Sequence, residues 1–485
     1  MINNVVSISN IPTVAIIGGG FSGSLIATHL LRNATQPLKI KLIDRNGEFG
    51  KGIAYSTKEN TDLLNVPAGK MSAFPDDADH LLRWLESNST TLQSLLPSRI
   101  SHRTFIPRQV YGLYIQSVLT EAQNSCTNHV YLEKLNHEAI SIEKTNQGVL
   151  ISLDNNQHFP ADKVILAIGN SPSNPSQSHN NYSYNAWSSS ALDNIDSNAD
   201  ILLVGTGLTM VDIVTSLHSR NHQGKIYALS RRGLSPQSHK KTTPYPLFLT
   251  VENAPLNILK LFKLIRHEVR KGHALGYNWR SIIDSLRPIT QQLWQKLPKT
   301  EQKRFLRHLT PYWDIHRHRI APNVGEIIHA KLKSGQLTIN AGRIKSYQVQ
   351  EDKTKVIIRP RYQKQNTVIL VDRVIHCQGI ANDYRSISHP LITNLQVQGL
   401  IRLNSLGLGI DTDGKGRILN GNGKISGLLY TIGTPCRGDL WETTAVPELR
   451  KQAQTLAENI LADLEVQKIE LVTTPSLRNV LPKIA

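Results

Sequence analysis

The chain has few of the residues that mark several common classes of protein. Its 485 residues contain three cysteines and three methionines, and aromatic residues make up 6% of the sequence. Cys126, Cys377 and Cys436 are far apart and none forms a Cys-x-x-Cys pair, which argues against disulfide reductase chemistry and zinc ribbons. There is also no His-x-x-x-His spacing with an intervening glutamate, so no metal site is predicted.

Long apolar runs are absent as well. No run approaches the roughly 18 apolar residues needed to cross a bilayer. The first ten residues lack the basic start and apolar core of a signal peptide. We therefore expect a cytoplasmic protein with free thiols. Because 485 residues exceed the roughly 250–300 that one hydrophobic core serves, the sequence predicts two or three domains.

Acidic residues are the scarcer charged type. The chain carries 55 lysine and arginine residues against 37 aspartate and glutamate, a formal net charge of +18. Such an excess can indicate nucleic-acid binding, but the basic residues are dispersed and no nucleic-acid motif accompanies them. Basic residues are densest in residues 256–271, where apolar residues form the stripe of an amphipathic helix. We interpret its basic side as a solvated helix face; docking on a membrane or a partner is the alternative. We expect the positive field to favour small anionic ligands, such as an acidic small-molecule substrate, and not nucleic acid.

The most informative segment is a glycine-rich turn near the start of the chain. The apolar run 14–17 leads into Gly18-x-Gly20-x-x-Gly23, a helix pattern follows, and the next apolar run ends at Asp44. This is a dinucleotide fingerprint, because the glycines permit a tight turn, backbone approach to a pyrophosphate and close helix packing, and the acid can bind ribose hydroxyls. The residues predicted to bind this first cofactor are Gly18, Gly20, Phe21, Ser22, Gly23 and Asp44.

A second turn of the same kind lies further along the chain. The run 201–204 leads into Gly205-x-Gly207, with Met210 in place of the third glycine. The apolar run that follows ends at Arg231 and Arg232 instead of an acid. Guanidinium groups there can pair with the 2′-phosphate of NADPH, which a carboxylate would repel. The two turns together indicate bound FAD at the first site and visiting NADPH at the second. A surface arginine pair beside a phosphate-free turn is the alternative.

These patterns predict an α/β fold with two Rossmann-like dinucleotide-binding domains, one for FAD and one for NADPH. The FAD domain is predicted to be discontinuous, with residues 1–170 as its first part and 376–470 as its second. The NAD(P)H domain is predicted over 199–375, with a helical insertion at about 253–325. A Ser/Asn/Pro-rich linker is predicted over 170–200.

Near the end of the chain, a short strand leads into the glycine-rich block 433–439, and a helix is predicted from 446 to 464. Glycines such as Gly433 permit close backbone approach to a cofactor. The positive N-terminal end of the helix suits a reduced, anionic flavin ring. We therefore predict that Gly433 and Asp439 contribute to the FAD site.

Nine blocks of the sequence resemble one group of proteins: 16–23, 64–72, 107–114, 166–169, 204–212, 230–233, 313–319, 376–379 and 433–450. The chain resembles the two-dinucleotide-binding-domain flavoproteins, which include flavin-containing monooxygenases and N-hydroxylases. Within them it is most similar to a bacterial group of FAD/NAD(P)-binding proteins, some described as FAD-dependent urate hydroxylases or amino-acid N-monooxygenases. The blocks span most of the chain; they specify the fold but not the substrate.

The resemblance implies further cofactor-binding residues. It implies that the loop 64–72 lies against the flavin ring, with Asn65 and Met71 as its neighbours, although a Pro–Gly connecting loop is the alternative. It implies that Arg108 lies on the FAD side, where simple packing at a helix start is the alternative. It also implies that the strand ending at Gly169 links the two domains.

The best candidate for a substrate site is the segment 311–322, which holds two histidines, two arginines and a tryptophan between prolines. His316 could act as acid or base near neutral pH, and Arg317 or Arg319 could bind an anionic substrate or the NADPH phosphates. A basic helix end is the alternative. We expect His318 to face solvent.

Three functions are compatible with these features. The leading hypothesis is an FAD-containing, NADPH-dependent monooxygenase of a small polar molecule, with an anionic molecule as one option. A flavoprotein reductase or dehydrogenase without oxygen insertion shares every motif. A non-catalytic FAD-bound sensor or scaffold is the third hypothesis, and the second nucleotide site argues against it.

Overall fold

The structure is a computed structural model that describes residues 11–57, 59–169, 183–187, 191–350, 352–377, 379, 383–386 and 389–473. Its strands are, in chain order, β1 (Thr13–Ile17), β2 (Leu38–Ile43), β3 (Val130–Leu135), β4 (Ala139–Thr145), β5 (Gly148–Leu153), β6 (His158–Ala161), β7 (Lys163–Leu166), β8 (Ser183–Asn185), β9 (Ile201–Val204), β10 (Ile226–Ser230), β11 (Leu337–Gln350), β12 (Lys353–Pro360), β13 (Thr367–Val371), β14 (Arg373–His376), β15 (Arg417–Leu419) and β16 (Ile425–Thr431).

The α-helices surround these strands. In chain order they are α1 (Phe21–Asn33), α2 (Gly52–Tyr55), α3 (His80–Ser87), α4 (Arg108–Ser125), α5 (Leu208–Ser219), α6 (Ile258–Ala274), α7 (Trp279–Ser285), α8 (Thr290–Lys296), α9 (Lys299–His308), α10 (Thr310–Arg317), α11 (Pro322–Lys333), α12 (Pro390–Val397) and α13 (Val446–Thr473).

The first sheet has six strands in the order β15-β16-β7-β1-β2-β3, and all its pairs except β15–β16 are parallel. Strand β1 is buried on both faces. Because successive side chains of a strand point to opposite faces, Val14 and Ile16 enter the core under α1, α4 and α13, while Ala15 and Ile17 enter a second core. The last two strands of the chain thus complete the sheet that the first strands begin, which is the discontinuous arrangement expected from the sequence.

The second sheet has seven strands in the order β13-β12-β11-β10-β9-β14-β8. Its centre is parallel, from β11 through β10, β9 and β14 to β8. Strands β12 and β13 extend it as an antiparallel meander. The α/β fold with two Rossmann-like sheets predicted from the sequence is therefore confirmed.

A run of helices, α6 to α10, separates β10 from β11, and α11 then returns the chain to the sheet by packing on α5. Tryptophans of this run donate hydrogen bonds to the C-terminal part of the chain: Trp294 Nε1 to Gly438 O at 2.9 Å, and Trp313 Nε1 to Glu442 Oε1 at 2.6 Å. The helical insertion therefore lies against both nucleotide domains. In the part of the chain that the structure describes, no helix is long and apolar enough to cross a bilayer.

Three features of the structure differ from the sequence-based expectations. Strands β4, β5 and β6 form a separate antiparallel sheet that the apolar patterns did not reveal. Within the predicted linker, residues 183–185 form β8 and add an edge strand to the second sheet, while most of 170–190 lies outside the described residues. Helix α13 continues to Thr473, beyond the predicted end at 464, because the sequence there contains no glycine or proline to end it.

Candidate functional site

The first predicted cofactor site lies at one edge of the six-stranded sheet. Strands β1, β2, β7 and β16 are parallel, so their carboxyl ends meet at that edge. The sheet order changes direction between β1 and β7, which makes a crevice of the kind that binds ligands in open α/β sheets. The sheet thus brings together the residues that follow these four strands: Gly18 to Gly23, Asp44, Gly169 and Gly433.

The glycines of the first turn are required by close backbone contacts. Gly18 has a φ of +106°, and a Cβ there would lie 2.2 Å from the carbonyl oxygen of Ala167. A Cβ at Gly23 would lie 1.9 Å from the oxygen of Gly18, so α1 packs directly on the turn. Gly20, the residue before α1, faces Gly52, whose Cα would be 3.3 Å from an added Cβ. The turn is therefore closed by backbone on two sides.

Side chains in and around the first turn connect it to neighbouring segments of the domain. Asp44 accepts a hydrogen bond from Gly19 N at 2.9 Å through Oδ2, and from Asn46 N at 2.9 Å through Oδ1. Phe21 is buried, with its ring centroid 6.1 Å from that of Tyr111. An added Cβ at Gly433 would lie 3.5 Å from Ser22 Oγ, so the C-terminal block reaches the fingerprint.

The other residues predicted to bind FAD have the following contacts within the protein, and their contact with FAD stays a prediction. Met71 is 2% exposed and belongs to the core of the first domain. The backbone oxygen of Asn65 is 3.0 Å from Nε2 of His239, which belongs to the second nucleotide domain. Asp439 accepts hydrogen bonds from Thr412 N and Oγ1 at 2.8 and 2.9 Å, and burial raises the pKa of this carboxyl.

Arg108 links the two nucleotide domains. Its guanidinium is 3.0 Å from Oδ2 of Asp212, which lies in α5, the helix that follows the second turn. Burial raises the pKa of Asp212 to about 6, and the positive charge of Arg108 opposes that shift. The structure therefore places this arginine at the domain interface, and we keep its contact with FAD as a prediction only.

The second turn has the same topology with a more open construction. Gly205, with a φ of +125°, directly follows β9, and its N–H donates to Leu229 O at 2.8 Å. Gly207 immediately precedes α5, and no atom of the described chain outside its own neighbours lies within 4 Å of a Cβ built there. Met210 takes the third position and is fully buried in the core. The open space at Gly207 leaves room for a phosphate at the helix N-terminus.

Arg231 and Arg232 follow β10 at the wall of a cavity of about 1190 Å³. Arg231 is exposed. Arg232 is partly buried and donates to the backbone oxygens of His308 and Arg307 at the end of α9, at 3.0 and 3.2 Å. Its guanidinium also lies 5.0 Å from the ring of Tyr312. Of the two, Arg231 is therefore better placed to bind a phosphate.

The three candidate catalytic residues lie together around the end of α10, but the protein itself engages both arginines. Arg319 is 4% exposed and forms a bidentate ion pair with Asp284. The side chain of Arg317 is 9% exposed, and its nitrogens lie 3.4 Å from Glu442 Oε2 and 3.5 Å from Glu448 Oε1. An anionic substrate would have to displace these carboxylates. The ring of His316 packs edge-on against Trp279, and its Nδ1 is 2.7 Å from Tyr312 O.

The expectation that His318 faces solvent is wrong. Its ring is partly buried, and burial lowers its pKa, with the charge of Glu442 acting in the opposite direction. Glu442 is 4% exposed and accepts the hydrogen bond from Trp313. Burial tends to raise the pKa of Glu442, but Arg317 and His318 outweigh it and leave the pKa lowered. A charged network is therefore buried between the helical insertion and the C-terminal block.

Sequence reasoning missed several residues of the cavity wall. Arg437, from the C-terminal block, stacks 4.5 Å from the ring of Trp441, and both line the cavity together with Asp314 of α10. Burial raises the pKa of Asp314 to about 7, with Arg437 opposing the shift and Glu442 adding to it. Burial also lowers the pKa of Arg437. The signal in the sequence was Arg437 and Trp441 themselves, which lie in the block 433–441, but that block was predicted to serve FAD alone.

The residues present fit the implied cofactors. Besides the glycine contacts, several buried side-chain atoms in the described residues have no hydrogen-bond partner within the protein. Two of them lie beside the first turn: Tyr111 of α4 packs against Phe21, and Gln452 of α13 bonds to Thr443, whose hydroxyl also bonds to Gly433 O. A bound dinucleotide with its hydroxyl and phosphate groups would supply such partners. The two atoms are Tyr111 OH and Gln452 Nε2.

Comparison with known proteins agrees with this geometry. Residues 15–171 match the sequence profile of a family described as FAD-NAD(P)-binding. The chain is also 22% identical over 303 residues to YdhS of Escherichia coli, a protein described as uncharacterized. That match covers 56% of this chain and 54% of YdhS, so it spans about half of each.

Solved structures share the fold at low identity. The ornithine N-hydroxylase KtzI of Kutzneria sp. 744 has a TM-score of 0.63 and 14% identity, over 95% of this chain and 100% of that one. The cadaverine monooxygenase DfoA of Erwinia amylovora has a TM-score of 0.63 and 13% identity, over 98% and 99%. The L-lysine 6-monooxygenase of Pseudomonas syringae has a TM-score of 0.62 and 13% identity, over 94% and 100%.

The fold and the two glycine turns define an architecture: this chain has two dinucleotide-binding domains of the Rossmann type. Within that architecture, residues 15–171 match the FAD-NAD(P)-binding family, and 94–98% of the chain shares the fold of the ornithine, lysine and cadaverine enzymes named above.

Proposed function

We propose that this protein is an FAD-containing monooxygenase that takes its electrons from NADPH and acts on a small polar molecule. In such a reaction one atom of O₂ enters the substrate, the other leaves as water, and NADPH with a proton supplies the two electrons. The similar structures are described as N-hydroxylases and monooxygenases of amines, one with reduced FAD and NADP⁺ bound, which supports the proposal. A cytoplasmic location, argued from three free thiols, belongs to the same proposal.

One observation carries the proposal: the difference between the two turns. The first turn is enclosed, since Gly20 faces Gly52 and Gly23 packs on the backbone of Gly18. The second turn borders open space at Gly207 and a large cationic cavity at Arg231. An enclosed site suits a resident cofactor, and an open one suits a cofactor that binds and leaves in each turnover. A flavoprotein that uses a soluble nicotinamide needs both.

The residues of the chain would then have the following roles. FAD, when bound, would supply hydride acceptance and oxygen activation, the chemistry that side chains lack. Gly18, Gly20 and Gly23 would admit its pyrophosphate, and Asp44 would bind ribose hydroxyls. The start of α5 and Arg231 would hold the phosphates of NADPH. The Arg108–Asp212 pair would fix the second turn relative to the first domain.

Disulfide reduction does not fit this chain, although some of its structural neighbours, such as the thioredoxin reductase of Lactococcus lactis at a TM-score of 0.51, are reductases. Cys377 and Cys436 are buried, and burial raises the pKa of both thiols well above the usual value. Such thiols are poor nucleophiles, because the thiolate is the reactive form. A reductase that passes electrons to another acceptor is separated from the monooxygenase by the experiment below.

The test is to reduce the FAD-loaded protein with NADPH without oxygen, mix it with aerated buffer, and follow both flavin absorbance and peroxide. A monooxygenase should return to the oxidised spectrum in at least two phases, with peroxide release delayed to the second. A single-phase return with immediate peroxide, or no reaction with oxygen, would contradict oxygen insertion and favour a reductase. Absence of any NADPH oxidation would contradict both.

A further inference from the structure

The cavity beside the second turn carries far more positive charge than one phosphate requires. Among the described residues that line it, Asp314 is the one acidic residue, whereas eight are arginine or lysine. Such a concentration in a partly enclosed space raises the local potential and attracts anions strongly. The eight come from five separate parts of the chain and are Arg231, Arg232, Arg307, Arg343, Lys345, Arg359, Arg361 and Arg437.

Two of these arginines oppose each other directly. Arg343 of β11 and Arg359 of β12 are register partners in the antiparallel pair, and both are exposed on the cavity wall. Like charges directly opposite on neighbouring strands destabilise a sheet. A negatively charged group bound between them would remove that repulsion, so the pairing points to a ligand.

The strand geometry brings further cations to the same wall. The register of β11 and β12 shifts between Ile344 and Ser346, which leaves Lys345 as the extra residue of a bulge. Bulges redirect side chains and are frequent next to functional sites. On the other strand, Arg361 N donates to Ala341 O at 2.9 Å, which holds the end of β12 beside β11. Lys345 and Arg361 therefore flank the arginine pair.

NADPH alone accounts for only part of this wall. Its 2′-phosphate is expected at Arg231, and its pyrophosphate at the start of α5, near Gly207. The cavity extends from Arg231 past the β11–β12 wall to Arg437 and Trp441 of the C-terminal block, with a volume of about 1190 Å³. Single small-molecule sites commonly occupy about 300–1,000 Å³. There is thus both charge and space for a second ligand.

We propose that the cavity binds a second ligand with at least two anionic groups, phosphates or carboxylates, held by Arg343 and Arg359 together with Lys345 and Arg361. This inference rests on the proposed function, because the ligand would be the substrate of that reaction. It separates this chain from the similar structures described as ornithine, lysine and cadaverine enzymes. The cationic wall would repel the free amine groups of such molecules.

The experiment is a calorimetric titration of the FAD-loaded protein with tripolyphosphate in the presence of saturating NADP⁺. A parallel titration with citrate distinguishes a preference for phosphate from one for carboxylate. We expect tripolyphosphate to bind although NADP⁺ is present. The Arg343→Gln/Arg359→Gln double variant should bind it about tenfold to a hundredfold more weakly, the loss expected for one charged hydrogen bond or more.

The matched control is Arg99→Gln/Arg103→Gln, which removes the same charge from two exposed residues that do not line the cavity. It should change binding by less than about twofold, because distant exposed charges are screened by salt. Loss of all tripolyphosphate binding once NADP⁺ is present would overturn the proposal, since the cations would then serve the dinucleotide alone. So would equal weakening in the two double variants, which would indicate a diffuse charge effect.

A stability measurement excludes a trivial structural cause. If Arg343 and Arg359 serve to bind a ligand, they repel each other when no anion is present. Arg343→Gln should then leave the melting temperature in anion-free buffer unchanged or raise it, because the repulsion is relieved. A lowered melting temperature without anion would indicate that Arg343 holds the sheet together and would count against the proposal. None of these readouts uses oxygen or NADPH oxidation, so failure of the ligand site and failure of the monooxygenase proposal can be told apart.

Discussion

The two glycine turns of this protein have the same topology and different construction. In the first, the third glycine allows α1 to touch the turn, since a Cβ at Gly23 would lie 1.9 Å from Gly18 O. In the second, the same position is Met210, a fully buried side chain that fills the space between helix and strand. The third position of the turn can therefore be occupied either by a glycine, which lets the helix touch the turn, or by a buried side chain. The turn with the glycine is enclosed, and the turn with the methionine borders open space.

The residues that follow the two turns also differ: they are acidic at the enclosed turn and basic at the open one. The first turn is followed by Asp44, whose carboxylate accepts hydrogen bonds from Gly19 N of the turn and from Asn46 N of its own loop. The second is followed by arginines at the mouth of a cationic cavity. We infer that the first site holds its cofactor through turnover and the second exchanges its cofactor. The following substitutions test that difference, from the largest expected effect to the smallest.

The largest effect is expected from Gly23→Ala. The added Cβ has no room, so the turn or α1 must move, and we expect a protein without bound flavin. The matched change in the second turn, Gly207→Ala, meets open space and should leave the flavin content unchanged. Absorbance at the flavin band per mole of purified protein measures both. Equal flavin loss in the two variants would remove the distinction between the turns.

The next largest effect is expected from Arg317→Ala. The change would leave the buried carboxylate of Glu442, 4% exposed, without its nearest cation. We expect the free energy of unfolding to fall by about 3–5 kcal/mol, as measured by urea denaturation. Arg317→Ala/Glu442→Gln should recover part of the loss, because it also removes the stranded charge. If the variant has normal stability but binds substrate more weakly, Arg317 binds the substrate, as the sequence predicts.

A smaller effect is expected at the 2′-phosphate position. Arg231→Gln should raise the apparent Michaelis constant for NADPH about tenfold to a hundredfold, equivalent to the roughly 1.5–3 kcal/mol of a charged hydrogen bond. The Michaelis constant for NADH should stay nearly unchanged. Arg232→Gln is the comparison, and we expect it to affect NADPH less, because that guanidinium already binds the end of α9. Equal use of NADPH and NADH by the unaltered protein would contradict the assignment.

The smallest effect concerns pH. Because burial raises the pKa of Asp314 to about 7, its carboxyl is mainly neutral below that pH and charged above it. As pH rises through 7 the new negative charge should weaken NADPH binding, by on the order of tenfold or less for one partly screened charge. Asp314→Asn should remove this dependence while leaving affinity at pH 6 unchanged. A pH profile that is identical in the variant would exclude Asp314 as its source.

The same raised pKa has a consequence for folding. A carboxyl whose pKa is higher in the folded than in the unfolded chain contributes stability below the unfolded value of 3.8 and loses it as pH rises through about 7. The unaltered protein should therefore lose stability relative to Asp314→Asn between these values. Melting temperatures of both proteins across this range measure the difference.

How far the sequence predicts this molecule depends on how local each feature is. The two turns are local: strand, glycines and helix lie within about 20 residues of one another, so their spacing predicts their geometry. The ion pairs of Arg317 and Arg319 are not local, since their partners Glu442 and Asp284 lie in other segments. The cluster of charges in 311–322 predicted a site, but the structure shows that carboxylates elsewhere in the chain engage both arginines.

The cationic cavity is the clearest case of a feature that the linear sequence hides. Its wall combines the end of β10, the end of α9, two antiparallel strands and the C-terminal block. The only local signal is alternation: Arg343 and Lys345, and Arg359 and Arg361, each two residues apart. Period-two charge on a strand predicts one charged face, but only the pairing of β11 with β12 shows that the two faces coincide.

The central claim is that the first turn holds FAD and the second admits NADPH, and one spectrum tests it most directly. The protein is purified through gel filtration without added cofactor, and its absorbance is recorded before and after NADPH is added in the absence of oxygen. We expect a flavin spectrum of about one FAD per chain, the occupancy of a single enclosed fingerprint, which NADPH bleaches and air restores. A colourless protein that takes up no added FAD would contradict the account.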